Sequence, residues 1–70
     1  MESDHVYKSI ELTGSSATSV DDAVRNAVSK ASKSLHNLRW FEVKEIRGGI
    51  DNAAVSHWQV TMKVGFTLDG

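Results

Sequence analysis

The sequence feature that most limits the possible folds is the segment from Val55 to Leu68, in which polar and apolar residues alternate from His57 onward. The apolar residues occupy the even positions: Trp58, Val60, Met62, Val64, Phe66 and Leu68. The polar residues occupy odd positions: His57, Gln59, Thr61, Lys63 and Thr67. Because successive side chains of a strand point to opposite faces, this pattern predicts one long strand with a single buried face. Gly65 interrupts the polar row and predicts a bulge or a close approach to the backbone.

A second apolar pattern, with helical spacing, comes earlier in the chain. Its members recur three and four residues apart, at Val20, Ala23, Val24, Ala27, Val28, Ala31, Leu35 and Leu38. Residues at this spacing share one face of a helix. Ser19 is a suitable N-cap, with the acidic Asp22 three residues later. We therefore predict a helix that begins after Ser19, with an apolar stripe that extends to Leu38.

Two further segments read as strands. Val6 to Thr13 carries β-forming residues and runs into a predicted loop at Gly14–Ser16, and Arg39 to Ile50 is followed by turn residues at 51–52. The predicted order is β-α-β-β. If the third strand lies in the middle, the result is an α+β fold in which one helix packs on an all-antiparallel, three-stranded sheet of order 1-3-2. One sheet face and two edges then stay open.

The small size of the chain predicts partner subunits. Its 70 residues form one domain, expected to span residues 1–70. A domain of this size buries only roughly 60% of its unfolded surface, and small scaffolds usually need a disulfide, a metal or an oligomer. Cysteine is absent, and His5, His36 and His57 lack metal-ligand spacing. Oligomerisation is the means of stabilisation that remains.

Charge and hydropathy exclude several classes of protein. Eight basic and nine acidic residues give a formal net charge of −1, unlike the basic stripe of a nucleic-acid binder. Residues 1–5 are acidic and lack an apolar stretch, unlike a secretory signal, and no apolar run approaches the ~20 residues of a membrane span. We expect a cytoplasmic protein.

Two tryptophans are expected to play different roles. Trp40 and Phe41 are adjacent, so a strand directs them to opposite faces. One can join the core, and the other must lie on the open face or in a subunit contact. An exposed Trp typically marks a binding site or an interface; the alternative is that Trp40 only packs against a neighbouring subunit. Trp58 belongs to the apolar row and is predicted to be core.

Two polar residues are candidate ligand contacts. The amide of Gln59 offers both a donor and an acceptor, which suits the alternating C=O and N–H edge of a flavin or a pyrimidine. Arg47, near the tip of the predicted hairpin, can hold a phosphate through its fork of donors. The alternative for both is an ordinary solvated side chain.

No catalytic constellation is present in the sequence. It contains no nucleophile elbow, P-loop or G-x-G-x-x-G segment. Glu42 and Glu45 are three apart, so a regular strand would turn them to opposite faces. His57 is a possible acid or base, without an evident partner. We therefore expect a binding protein and not an enzyme.

Three separated segments resemble the dodecin family: residues 38–48 (LRWFEVKEIRG), residues 58–66 (WQVTMKVGF), and Tyr7-Lys8 with residues 11–15 (ELTGS). The resemblance covers nearly the whole chain. It implies a hollow homododecamer of β-α-β-β subunits that stores and protects FMN or riboflavin. It further implies that flavins stack between Trp40 residues of symmetry-related subunits, that Gln59 binds the polar edge of the ring, and that Arg47 lies near the FMN phosphate.

Departures from the family pattern leave alternatives open. Some bacterial members carry an arginine where this chain has Thr67, so riboflavin is expected to compete better here. Some bind coenzyme A on their outer surface, at places that four residues match only loosely: Tyr7, Lys8, Lys30 and Ser34. The alternative functions are thus a coenzyme A-binding dodecin, a structural oligomer without ligand, and a flavin-dependent enzyme.

Overall fold

The computed structural model describes residues 5–68. The elements are β1 (Tyr7–Ser16), α1 (Val20–Ala31), β2 (Leu38–Asp51) and β3 (Ala54–Thr67). The strands form one antiparallel sheet in the order β1-β3-β2, which confirms the predicted α+β fold. Residues 1–4, which carry most of the argument against a secretory signal, lie outside the described range. Within that range no helix is long and apolar enough to cross a membrane.

The core lies between α1 and the central strand. Val60, Met62 and Val64 of β3 are buried together with Ala23 of α1. The partly buried residues packed around them are Ile10, Leu12, Val20, Val24, Ala27, Val28 and Leu38. The alternation along β3 therefore has the predicted cause: its even positions face the helix.

The helix is shorter than its apolar stripe. It begins as predicted, because the Ser19 side chain accepts a hydrogen bond from the backbone N–H of Asp22. It ends at Ala31 with Ser32 as C-cap, so Leu35 and Leu38 are not helical. Leu38 reaches the same core from the first position of β2. The expectation that one helix carries the whole stripe to Leu38 was wrong, since an apolar spacing does not reveal which element supplies each residue.

The first strand is longer than predicted. Residues 14–16 were expected to form a loop, but Ser15 and Ser16 pair with Gln59 and Trp58 of β3. Gly14 lies directly under the helix, where an added Cβ would overlap the carbonyl oxygen of Ala23. Its missing side chain lets α1 approach the sheet closely, so this glycine continues the strand rather than ending it.

Strand β2 departs from regular pairing in ways that change which residues share a face. Its register shifts between Leu38 and Trp40, and again between Val43 and Glu45. Glu42 consequently pairs with Lys63, and Glu45 pairs with Thr61. Both carboxylates therefore lie on one face, and the expectation that they point to opposite faces was wrong. The extra residue of a β-bulge resets the alternation.

The helix covers only part of the sheet. It packs on β1 and β3. The helix-side apolar residues of β2 stay accessible: Phe41 is 51% exposed, Val43 41% and Ile46 53%. We call these three residues the exposed apolar row. The single subunit does not bury it.

Trp58 is less buried than predicted. It belongs to the even, helix-facing row of β3, but it is only half-buried and lies outside the buried cluster. The helix covers the middle of β3 and not the end near the hairpin. Trp58 is therefore a peripheral residue of the core.

A tight turn joins β2 and β3. Asn52 and Ala53 both have positive φ, 52° and 61°. The predicted turn at residues 51–52 is thus displaced by one position, because Asp51 is the last residue of β2. Positive φ at both central residues is typical of a two-residue hairpin turn.

Candidate functional site: the open face of the sheet

The sheet face that points away from α1 carries the candidate ligand contacts. Cross-strand partners share a face, and Met62 and Val64 point toward the helix. The odd residues of β3 and their partners therefore point the other way. From one end to the other these pairs of β2 and β3 are Trp40 with Gly65, Glu42 with Lys63, Glu45 with Thr61, Arg47 with Gln59, and Gly49 with His57.

Trp40 lies at one end of this face. Its side chain is 39% exposed, while the adjacent Phe41 is on the helix side, in agreement with the prediction that the two residues separate. The Nε1–Cε2–Cζ2 side of the indole occupies the space above Gly65. The Tyr7 ring of β1 flanks it, with a centroid distance of 6.4 Å and an interplanar angle of 60°. We call Trp40, Gly65 and Tyr7 the tryptophan platform.

Gln59 and Arg47 lie together near the other end. Arg47 Nε donates a 3.0 Å hydrogen bond to Gln59 Oε1. The two are direct cross-strand partners, so the contact follows from the register of β2 on β3. The fold therefore unites two residues that were selected separately, one for an amide edge and one for a phosphate. We call them the amide–guanidinium pair.

The tryptophan platform and the amide–guanidinium pair are far apart in one subunit. Gly65 and Gln59 are six residues apart on the same strand, which at the rise of an extended chain amounts to about 20 Å. Three fused six-membered rings are much shorter than this. The tryptophan platform and the amide–guanidinium pair therefore do not form one compact pocket within a single subunit.

His57 has a hydrogen-bond partner that the sequence did not reveal. Its Nδ1 lies 3.0 Å from Ser56 Oγ. The ring also covers Gly49, where an added Cβ would overlap His57 Cε1. A serine and a histidine side by side do not form a metal site, and within residues 5–68 no group of three or more His, Cys, Asp or Glu residues could hold a metal ion.

A separate cavity lies on the helix side, between α1 and β1. Its volume is about 500 Å³, and Ile10, Leu12, Ala27 and Leu35 supply apolar walls. Lys30 and Ser34 also line it. Of the residues matched to coenzyme A binding, these two share the cavity, whereas Tyr7 is on the opposite sheet face. Lys8 belongs to the helix-side row of β1 but does not line the cavity.

Sequence reasoning missed two members of the tryptophan platform as site residues. Tyr7 was considered only as a strand former and as a loose coenzyme A match. Gly65 was recognised as an interruption of the polar row, but its partner was unknown. A glycine at a position where the pattern requires a polar side chain was the available signal.

Comparisons with known proteins define the class. A family model described as Dodecin matches residues 6–69. The chain is 48% identical over 64 residues to the dodecin of Thermus thermophilus, which covers 91% of this chain and 93% of that relative. It is similar in structure to a dodecin from Streptomyces davaonensis, with a TM-score of 0.93 and 51% identity, covering 97% of this chain and 100% of the other. The chain belongs to the dodecin family.

A more distant relative is named for a metal. The protein called calcium dodecin from Mycobacterium tuberculosis is 32% identical over 63 residues, covering 90% of this chain and 89% of the relative. The family therefore includes a member whose name specifies an ion and not an organic ligand.

Proposed function

We propose that this protein binds FMN or riboflavin between subunits of a closed homododecamer, and that it stores and protects the flavin without turning it over. The observation that carries the proposal is the partly exposed indole of Trp40 on the open face of the sheet. A partly exposed tryptophan on an otherwise polar sheet face typically marks a site where another group covers the ring.

A stacked aromatic ring is the natural cover for that indole. Stacking of a heteroaromatic ring on an aromatic side chain contributes about 1–3 kcal/mol by analogy with nucleic-acid bases. A second Trp40, from a symmetry-related subunit, would supply the opposite wall. The flavins would then lie between two indoles, with their faces shielded from water and from other reactants.

The spacing on the open face supports a site built by more than one subunit. The backbone positions of Trp40 and Gln59 in one chain are about 20 Å apart along the sheet, and we therefore expect a flavin on Trp40 to take its polar-edge contact from a neighbour's Gln59. The exposed apolar row of Phe41, Val43 and Ile46 supports the same assembly, because a neighbouring subunit can bury it.

The amide–guanidinium pair supports recognition of a flavin over other flat molecules. The amide of Gln59 can both donate to and accept from the C=O and N–H edge of the isoalloxazine ring. Arg47 uses Nε for Gln59, and its two terminal nitrogens remain suited to a phosphate. FMN can use both groups, whereas riboflavin can use only the first.

Flavin titration of Trp40 variants tests the proposal. An indole in contact with an isoalloxazine ring donates an electron to the excited flavin, so wild-type protein should extinguish flavin fluorescence as it binds. Trp40→Ala should bind far more weakly and leave the flavin bright, with the oligomer intact. Trp58→Phe is the matched control and should quench like wild type. A Trp40→Ala variant that binds and quenches normally would refute the proposal.

Measurements on the wild-type protein separate the alternative functions. Protein that stays colourless and silent with any flavin would indicate a structural oligomer without a flavin ligand. Steady oxidation of NADH or NADPH by the flavin-loaded protein would indicate an enzyme. Flavins held between two indoles predict that flavin binds and that the loaded protein does not oxidise NADH or NADPH. Absorption of the purified protein, with mass identification of the released ligand, identifies the preferred flavin.

One observation favours coenzyme A as a second ligand. Lys30 and Ser34 line the cavity between α1 and β1, which pairs a cation and a hydroxyl with apolar walls. Coenzyme A has phosphates that could bind the cation and an extended pantetheine chain that could lie along the apolar walls. Calorimetric titration with coenzyme A should show binding that Lys30→Ala weakens and Lys33→Ala leaves unchanged. Equal binding by both variants would exclude this cavity.

A further inference from the structure

We infer that Gly65 is a positioning residue for ligand binding: it sets the place of the Trp40 indole, and any side chain at position 65 displaces that indole from its stacking position. This inference deepens the proposed function and rests on it for its effect on flavin. The placement of the indole by Gly65 can be tested without any ligand.

The contact between the two residues is the direct observation. A Cβ added to Gly65 would overlap Cε2 and Cζ2 of Trp40 and would lie 2.6 Å from Nε1. All three of the nearest atoms belong to the indole. The space that a side chain would occupy is therefore filled by Trp40.

Backbone conformation does not explain this glycine. Glycine is required in a strand either for a positive φ or for a close approach of another group. Gly65 has no positive φ, and it continues the ladder through its pairs with Trp40 and Ser9. An L-residue can adopt this conformation, so the remaining reason is the space taken by the indole.

Neighbouring features direct the indole to that space. The register shift between Leu38 and Trp40 places these residues on opposite faces, with Leu38 in the core and Trp40 opposite Gly65. Tyr7 then flanks the indole from β1. Gly65 forms the floor of the tryptophan platform, Tyr7 one side, and the partly exposed remainder of the ring is available to a ligand.

Ligand binding should therefore depend on Gly65 and Trp40 jointly. A methyl group at position 65 forces the indole to rotate or rise, so two symmetry-related Trp40 rings no longer present the same gap. Since stacking depends on close contact between planes, affinity for a flat ligand should fall. The effect passes through Trp40, and it must vanish when Trp40 is absent.

A double-mutant cycle tests this dependence. The four proteins are wild type, Gly65→Ala, Trp40→Ala and the double variant, measured for thermal unfolding, near-ultraviolet circular dichroism and flavin quenching. In wild type, Gly65→Ala should lower the unfolding midpoint, change the indole dichroism and weaken flavin binding by about tenfold or more. In the Trp40→Ala background it should leave the midpoint unchanged or raise it, since alanine is the better strand residue.

Gly49→Ala is the matched control. Gly49 lies on the same face and strand pair, and its added Cβ would meet the side chains of His57 and Ser56 and not the indole of Trp40. This variant should leave the indole dichroism and the quenching as in wild type. A change equal to that of Gly65→Ala would show a general intolerance of the open face, and would overturn the inference.

Folding failure is also informative. If Gly65→Ala does not fold but the double variant does, the clash with Trp40 is the cause, and the inference stands. If both fail, or if both lose the same stability, the backbone requires the glycine and the inference is wrong. Wild-type binding and quenching by Gly65→Ala would also overturn it. Wild type that binds no flavin refutes the proposed function, while the ligand-free cycle still decides the role of Gly65.

Discussion

Arg47 Nε donates a 3.0 Å hydrogen bond to Gln59 Oε1, so the two residues predicted to contact different parts of the ligand position each other. The bond identifies Oε1 as the amide atom beside the guanidinium and turns the NH₂ group away from it. Gln59 in turn restrains a long, otherwise mobile side chain. Removing either residue should therefore alter the contacts of the other.

Arg47→Ala should weaken FMN binding more than riboflavin binding. Loss of a charge-assisted phosphate contact costs about 1.5–3 kcal/mol. Riboflavin lacks the phosphate and loses only the orientation of Gln59, worth on the order of 0.5–1.5 kcal/mol. Fluorescence titration with both flavins measures the difference.

Arg39→Ala provides the control for that prediction. Arg39 is an exposed arginine at the register shift of the same strand, and its removal should affect neither flavin. Equal losses of FMN and riboflavin in Arg47→Ala would mean that Arg47 acts through Gln59 and not on the phosphate.

Ile46→Lys should disrupt the assembly. Ile46 is 53% exposed within the subunit and belongs to the exposed apolar row. A closed oligomer buries such a row, and a lysine there would be buried without a partner. Light scattering after size exclusion should report dodecamers for wild type and small species for the variant. Ser29→Lys, on the exposed side of α1, should stay assembled; dodecameric Ile46→Lys would place the interface elsewhere.

Ala53→Gly should stabilise the protein by about 1 kcal/mol. Ala53 has φ 61° in the hairpin turn, where a side chain costs roughly that amount and glycine has no steric cost. Ala54→Gly is the control, because this position is in β3 and glycine there should destabilise by about 0.5–1 kcal/mol. Chemical unfolding measures both, and a loss of stability in Ala53→Gly would contradict the strain argument.

Trp58→Ala should cost less than truncation of a fully buried aromatic. Complete burial would predict about 3–5 kcal/mol; half-burial outside the core cluster predicts roughly half of that. Met62→Ala, at a fully buried position, should cost about 2–5 kcal/mol and serves as reference. A Trp58→Ala cost as large as the full aromatic value would show that a neighbouring subunit buries this side.

Local periodicity in the sequence determined the elements and their order. The alternation around Val60 and Met62 and the helical spacing around Ala23 predicted a one-sided strand and a helix that share a core, and the structure confirms both. These patterns can be read without the fold because they reflect side-chain directions within a few residues of one chain segment. The faces of Trp40 and Phe41 followed from the same rule.

Only the tertiary structure decided what depends on pairing between distant segments. The register of β2 on β3 brought Arg47 to Gln59, set Gln59 about 20 Å from Trp40 along the sheet, and placed Trp40 over Gly65. The register shift after Val43 put Glu42 and Glu45 on one face, against the regular alternation. A strand's own sequence does not state where an extra residue is accommodated, since that depends on the length and packing of its partner.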